Sequence, residues 1–319
     1  MNFREDVEAA SRRIEGRVRT TPVERSRHLA DGSGASVWLK LENLQITGSF
    51  KLRGATNKIL CLTEQERERG VVAASSGNHG AAVACAAAAV GCRAVVYVPE
   101  GAVESKLAAI RSWGGEVYTR GNDCVLAEAE ARCHAAAEGM AYVSPYNDPL
   151  IVAGQGTLAA ELVRQLPEGS PLDAVFVTLG GGGLISGVGG YLKTVWPDLT
   201  VIACSPENSA VMHTSLEAGR VVELESLPTL SDGSAGGVET DSITFELCRQ
   251  VIDESFLVSE DEIRQALRRL VGSYHTLVEG AAAVAAAAYS KQREHWKGAN
   301  VAIVLCGANI DSAVLKEVL

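Results

Sequence analysis

Short apolar runs recur along the chain, each closed by turn residues: SVWLKLE (36–42), VVAAS (71–75), AVVYVP (94–99), AVFVTL (174–179), TVIACS (200–205) and NVAIVL (300–305). Their length and β-branched content predict strands. Helix-compatible stretches lie between them. Thr63 and Glu66 form a capping box that predicts a helix over 63–69, and Ser259 with Glu262 predicts another over 259–272. Strand and helix alternating in this way predict mostly parallel sheets with helices on both faces, an α/β fold. The most apolar run, 80–98, is broken by Gly91 and Arg93. It reads as a buried helix leading into a buried strand, and no membrane span is expected.

A chain of 319 residues is long for one core, so two lobes are expected. The Pro- and Asn-rich crossing SPYNDP (144–149) is the boundary signal. Net charge is −10, which leaves no basic footprint for nucleic acid or an acidic membrane surface. The N-terminal MNFREDVEAASRRIEG is charged and amphipathic, unlike a secretion signal. Cysteines 61, 85, 92, 124, 133, 204, 248 and 306 form no C-x-x-C and no dense framework. They read as reduced thiols of a cytoplasmic protein. The histidines do not pair with them at zinc-ligand spacings, so no metal is expected.

The strongest chemical signal is VTLGGGGLISG (177–187), an apolar strand that ends in four glycines ahead of a helical segment. Such glycines let backbone N–H groups converge on an anion at a helix start. The third glycine of a G-x-G-x-x-G motif would fall on Ile185 or Ser186, and Gly182 with Gly187 is followed by Val188 rather than lysine. Both the dinucleotide fingerprint and the nucleotide P-loop are therefore excluded. A second strand end, ASSGNHGAA (74–82), offers hydroxyls, an amide and an imidazole beside helix-start N–H groups, or else an ordinary N-cap. In VLCGANID (304–311), Cys306 is either a core thiol before a turn or a strand-end binding group. Glu279, in LVEGAAAV, is equally a first-turn helix charge or a pocket carboxylate. Lys51 sits in TGSFKLRGA (47–55) between Phe50 and Leu52. It is either a lysine snorkelling past greasy neighbours or an amine kept reactive by desolvation. An amine, an anion cradle and polar groups at strand ends together suit pyridoxal phosphate.

These motifs, in order, resemble the tryptophan synthase β-like (fold type II) pyridoxal phosphate enzymes, in the serine/threonine dehydratase and serine racemase branch. KLENLQITGSFKLRGA, SSGNHG, SPYNDPLIVAGQGT, GGGGLISG, LVEGAAAV and LCGANID carry the resemblance over nearly the whole chain. It implies that Lys51, next to Phe50, is the Schiff-base lysine and handles the α-proton. Asn78 would bond the ring oxygen. Ser75, Asn78 and His79 would surround the substrate carboxylate. Gly180, Gly181, Gly182, Gly183 and Leu184 would hold the phosphate through N–H groups. Cys306 would face the pyridine nitrogen, a position where many relatives have serine. A neutral group there favours β-elimination.

The implied reaction is dehydration and deamination of a small hydroxy amino acid such as L-threonine or L-serine to a 2-oxo acid and ammonia. Ser76 matches the position from which racemases protonate the opposite face, which keeps serine/threonine racemisation open. Other departures leave room for a specialised substrate: the chain also resembles the dehydratase-like branch of hydroxyectoine catabolism. Ser205 and Val211 stand where metal-binding relatives place carboxylates, so no cation site is carried over, although Glu207 is near. No regulatory domain follows Leu319, and allosteric control of the biosynthetic type is not expected. The resemblance further implies a discontinuous large domain (1–45 and 149–319), a small domain (46–148) that closes over substrate, and a homodimer. A non-catalytic ligand-binding protein is the alternative of a different class; Lys51 in its full motif stands against it.

Overall fold

A computed structural model describes residues 1–30, 32–122 and 124–319; the side chain of Cys124, one of the thiols noted above, lies outside the described residues. The strands are β1 (Val23–Ser26), β2 (Ser36–Leu41), β3 (Val71–Ala74), β4 (Ala94–Val98), β5 (Glu116–Thr119), β6 (Ala141–Tyr142), β7 (Ala174–Thr178), β8 (Thr200–Pro206), β9 (Glu254–Val258) and β10 (Asn300–Leu305). They form a six-stranded sheet in the order β1-β2-β10-β7-β8-β9 and a four-stranded sheet in the order β5-β4-β3-β6. β1 runs antiparallel to β2, and the remaining pairs in both sheets are parallel.

The six apolar runs read from the sequence are β2, β3, β4, β7, β8 and β10. β4 and β7 are buried at every position, as interior strands covered on both faces require. The remaining strands lack that signature. β1 (VERS) and β5 (EVYT) are polar edge strands, β6 has two residues, and β9 is largely half-buried. Both expected helix starts carry the reciprocal capping box, at Thr63 with Glu66 and at Ser259 with Glu262.

Helices layer both sheets. The alanine-rich helix Gly280–Gln292 is buried from Gly280 through Tyr289 and packs on β7, β8, β9 and β10. Across the larger sheet, helices Pro149–Gln165 and Gly183–Val195 approach backbone to backbone. A Cβ added at Gly187 would lie 2.3 Å from the carbonyl oxygen of Val152. Larger residues there would force the helices apart.

A buried charge network joins the helix Lys51–Leu60 to the end of β2 and to helix Pro149–Gln165. The Arg53 guanidinium donates to both oxygens of Glu42 (2.7 and 2.8 Å) and both of Glu161 (2.7 and 2.8 Å), while Lys40 Nζ donates to Glu161 at 2.7 Å. Two cations and two carboxylates cancel, which is the condition for keeping such charges out of water. Among the described residues no helix is long and apolar enough to cross a membrane. The described cysteines are free thiols.

Candidate active site

Residues that follow three strand ends line one cavity. β10 leads into Cys306 and Gly307, β7 into the glycine run, and β3 into the loop before helix Asn78–Ala88. Loops at carboxyl ends of parallel strands are where α/β sheets bind ligands. A fourth segment is tied in by backbone pairing: Phe50 N–H donates to the Cys306 carbonyl at 3.1 Å, and Ala308 N–H to Gly48 at 2.8 Å. That pairing delivers Lys51, first residue of the helix Lys51–Leu60, to the same place.

The cavity there has about 490 Å³ of empty space, open solvent at its mouth included. Phe50, Lys51, Asn78, Gly180, Gly181, Gly182, Gly183, Leu184 and Cys306 all line it. Ser75, Ser76 and His79 do not. Ser75 Oγ accepts from the N–H of Gly77 (3.1 Å), within its own loop, and Ser76 is partly buried in the bend beside it. The His79 ring is buried, and its Nε2 donates to the Val143 carbonyl at 2.8 Å. That contact places the ring proton on Nε2 and leaves Nδ1 without a hydrogen-bond partner. Burial and the nearby Lys51 push the imidazole down to about 3, so it is neutral at physiological pH.

Lys51 Nζ donates to the Pro145 carbonyl at 2.8 Å and lies 5.2 Å from the centre of the Phe50 ring. Burial lowers its pKa to about 8, against the opposing pull of Cys306 and Glu279. Desolvation wins because an ammonium loses more hydration than two neighbouring groups restore. Lys51 is therefore a partly desolvated amine in a cavity and not a snorkelling surface lysine. Burial first, then the Glu279 charge, holds the Cys306 thiol well above its ordinary value. It stays a neutral thiol.

The glycine run has the backbone geometry an anion cradle requires. Gly182 has φ +84° and caps the helix Gly183–Val195, a conformation that L side chains rarely adopt. The Gly181 carbonyl accepts from Thr244 Oγ1 at 2.6 Å and the Gly182 carbonyl from Ser186 N–H at 3.0 Å. With the carbonyls so engaged, the first-turn N–H groups remain for a ligand. Tyr146 walls the run: a Cβ at Gly181 would lie 2.4 Å from its ring.

The reading of the sequence did not select Tyr146, Thr178, Gly233 and Ser234, which also line the cavity. Glu279, left open between first-turn helix charge and pocket carboxylate, is a pocket carboxylate. It stands at the N-cap position of helix Gly280–Gln292 without a side-chain capping hydrogen bond and faces the cavity at 3 % exposure. Burial raises its carboxyl to about 7, opposed by hydrogen bonds from Asn78 and Asn309.

Comparison with known proteins converges on the same chemistry. Residues 14–307 match the family described as pyridoxal-phosphate dependent enzyme. The chain is 41% identical over 315 residues to the L-threonine ammonia-lyase of Thermotoga maritima, covering 99% of this chain and 77% of that one. The processed form of threonine deaminase isoform 2 from Solanum lycopersicum superposes with a TM-score of 0.91 at 33% identity, over 98% of this chain and 90% of that one. Maize serine racemase superposes equally well, TM-score 0.91 at 30% identity, over 98% and 95% of the two chains. The residues present fit such a cofactor. A desolvated amine, a glycine cradle that a single added Cβ would obstruct, and a neutral thiol share one cavity.

Proposed function

The chain belongs to the pyridoxal-phosphate dependent enzymes, and we propose that within this family it catalyses β-elimination of a small 3-hydroxy amino acid, L-threonine or L-serine. The products are a 2-oxo acid and ammonia. The observation that carries the reading is the meeting of the Lys51 amine, the Gly180–Gly183 run and Cys306 in one cavity. The end-to-end likeness to a threonine ammonia-lyase supports the choice of substrate.

Pyridoxal phosphate, when bound, supplies an electron sink that makes the substrate α-proton acidic. The protein's own groups do the rest. Lys51 would hold the cofactor through Nζ, and the same nitrogen would take the α-proton of the substrate. Its lowered pKa keeps a usable fraction of free amine near neutral pH. Gly180, Gly181, Gly182, Gly183 and Leu184 would hold the phosphate with backbone N–H groups. Cys306, a neutral thiol, would not force a proton onto the ring nitrogen, which suits elimination. Asn78 would bond the ring oxygen and reach the substrate carboxylate; Ser75, Ser76 and His79, in the adjoining loop and helix start but outside the cavity lining, would border that carboxylate.

We assign residues 46–148 to a small domain and 1–45 with 149–319 to a large one. The strands of the four-stranded sheet fall within the first span, which supports the division. Arg132 pairs with Glu239 at 2.9 Å and Lys106 pairs with Asp232, contacts that would hold the small domain closed and water out. A cytoplasmic homodimer is the assembly and location we infer; free cysteine thiols agree with a reducing compartment.

The test supplies pyridoxal phosphate and L-threonine or L-serine to the purified protein and measures 2-oxo acid release, with Lys51→Ala as control. Release that falls roughly 10³-fold in the control supports the reading. A yellow wild-type protein that releases nothing from either amino acid sinks the choice of substrate. Ser76 and the likeness to maize serine racemase favour racemisation as the second reading; D-isomer formation in excess of 2-oxo acid would replace the first with it.

A further inference from the structure

Glu279 has no role in the reaction described above, yet its surroundings are built around it. Both carboxylate oxygens accept from Asn78 Nδ2, at 2.8 and 2.9 Å, and one also accepts the Asn309 backbone N–H at 3.1 Å. The other end of the Asn78 amide is fixed as well: Asn309 Nδ2 donates to Asn78 Oδ1 at 2.6 Å and to the Thr47 carbonyl at 2.9 Å. Gly307 makes room for this, since a Cβ there would lie 2.5 Å from a Glu279 oxygen.

An asparagine amide presents one acceptor and two N–H donors, and turning it over exchanges them. Here the oxygen faces Asn309, whose Nδ2 is held by the Thr47 carbonyl and donates to it, while Nδ2 faces Glu279, both of whose oxygens accept from it. The two carboxylate oxygens subtend too narrow an angle at Nδ2 for both of its N–H groups to serve them. One N–H is shared between them and the second is left over. Asn78 lines the cavity that holds Lys51 and Cys306.

The geometry points to Glu279 as a positioning residue that locks the Asn78 amide with an N–H, and not its oxygen, toward the ligand in the cavity. This rests on the reading of the cavity as a pyridoxal phosphate site in which Asn78 bonds the ring oxygen. A glutamine in place of Glu279 would put its own NH₂ group against Asn78 Nδ2. The Asn78 amide could relieve that contact only by turning over, which would set its own NH₂ group against Asn309 Nδ2, so in either orientation the N–H is no longer held firmly toward the ligand.

A double-variant cycle isolates the effect, because a residue that acts through another adds nothing once the other is gone. The apoproteins of wild type, Glu279→Gln, Asn78→Ala and the double variant are titrated with pyridoxal phosphate. Cofactor fluorescence gives the affinity, and the absorbance of the bound form reports the environment of the ring oxygen. Loss of one hydrogen bond to a charged group predicts about tenfold weaker binding in each single variant. The double variant should be no weaker than Asn78→Ala, and all three should shift the absorbance in the same direction. Thermal unfolding of the apoproteins confirms that each is folded; Glu279→Asp, which keeps the carboxylate, should recover part of the loss.

If Glu279→Gln binds as wild type does, or weakens Asn78→Ala as much as it weakens wild type, the positioning role is overturned. If Asn78→Ala alone binds normally, the roles of Asn78 and Glu279 fall together. The pyridoxal phosphate reading itself fails separately, through wild-type protein that takes up no cofactor.

Discussion

The side-chain nitrogen of Lys51 donates to the carbonyl oxygen of Pro145 at 2.8 Å, across 94 residues of sequence. Pro145 belongs to the SPYNDP crossing, and the next residue, Tyr146, walls the glycine run. One short loop thus positions the amine and bounds the glycine run. Its carbonyl offers the amine an acceptor inside a cavity that otherwise strips away hydration.

The cost of that desolvation sets a pH dependence. A lysine whose pKa falls to about 8 is an ammonium below that value and a free amine above it. Only the free amine attacks the cofactor carbonyl. At pH 7 about a tenth of the protein is in the reactive form, one unit below the midpoint. The rate at which apoprotein captures pyridoxal phosphate should therefore rise with pH through about 8 and level off beyond it. Stopped-flow absorbance across pH 6.5 to 9.5, buffered at constant ionic strength, checks this. A rate still climbing steeply at pH 9.5 would mean an ordinary, well-solvated lysine.

The fit between Gly181 and Tyr146 is a second point of leverage. Alanine at 181 would bring a methyl group to 2.4 Å from the ring, which cannot swing away freely because its hydroxyl accepts the Glu239 N–H at 3.0 Å. Gly181→Ala should weaken cofactor affinity by more than about tenfold, through a misplaced cradle and not through lost charge. Adding Tyr146→Ala removes the obstruction and should recover part of the loss. Fluorescence titration of the single and double variants measures both. A double variant weaker than Gly181→Ala would show that Tyr146 is needed for more than its bulk.

How far the sequence carried the interpretation follows from the range of each interaction. Capping boxes span three residues, and both were legible. β4 and β7 are apolar on both faces and announced themselves, whereas β1 and β5 lie at sheet edges with polar side chains and left no pattern to read. The glycine run was legible because a turn from strand to helix needs one or two glycines, and four in a row exceed that need. The partnership of Asn78 with Glu279 was not, since it joins residues 201 apart. Two residues beyond Lys51, Arg53 shows the same limit. Sequence put both cations in one apolar stretch, but only the fold separates them: one faces a cavity, and the other is neutralised by carboxylates 11 and 108 residues away.

That division of labour makes the network around Arg53 a matter of stability. Arg53, Lys40 and Glu42 are fully buried, and Glu161 is nearly so. Glu161→Gln would leave two cations facing one carboxylate with no water to compensate. The expected loss is about 3–5 kcal/mol of unfolding free energy, the range for stripping one partner from a buried pair. Urea denaturation of the apoprotein should show the midpoint falling with little change in slope, because the surface exposed on unfolding is nearly the same. High salt should not restore it, since mobile ions screen exposed charges and do not reach buried ones. A loss below about 1 kcal/mol, or one recovered by salt, would show that water enters the network and that the charges act as a surface pair.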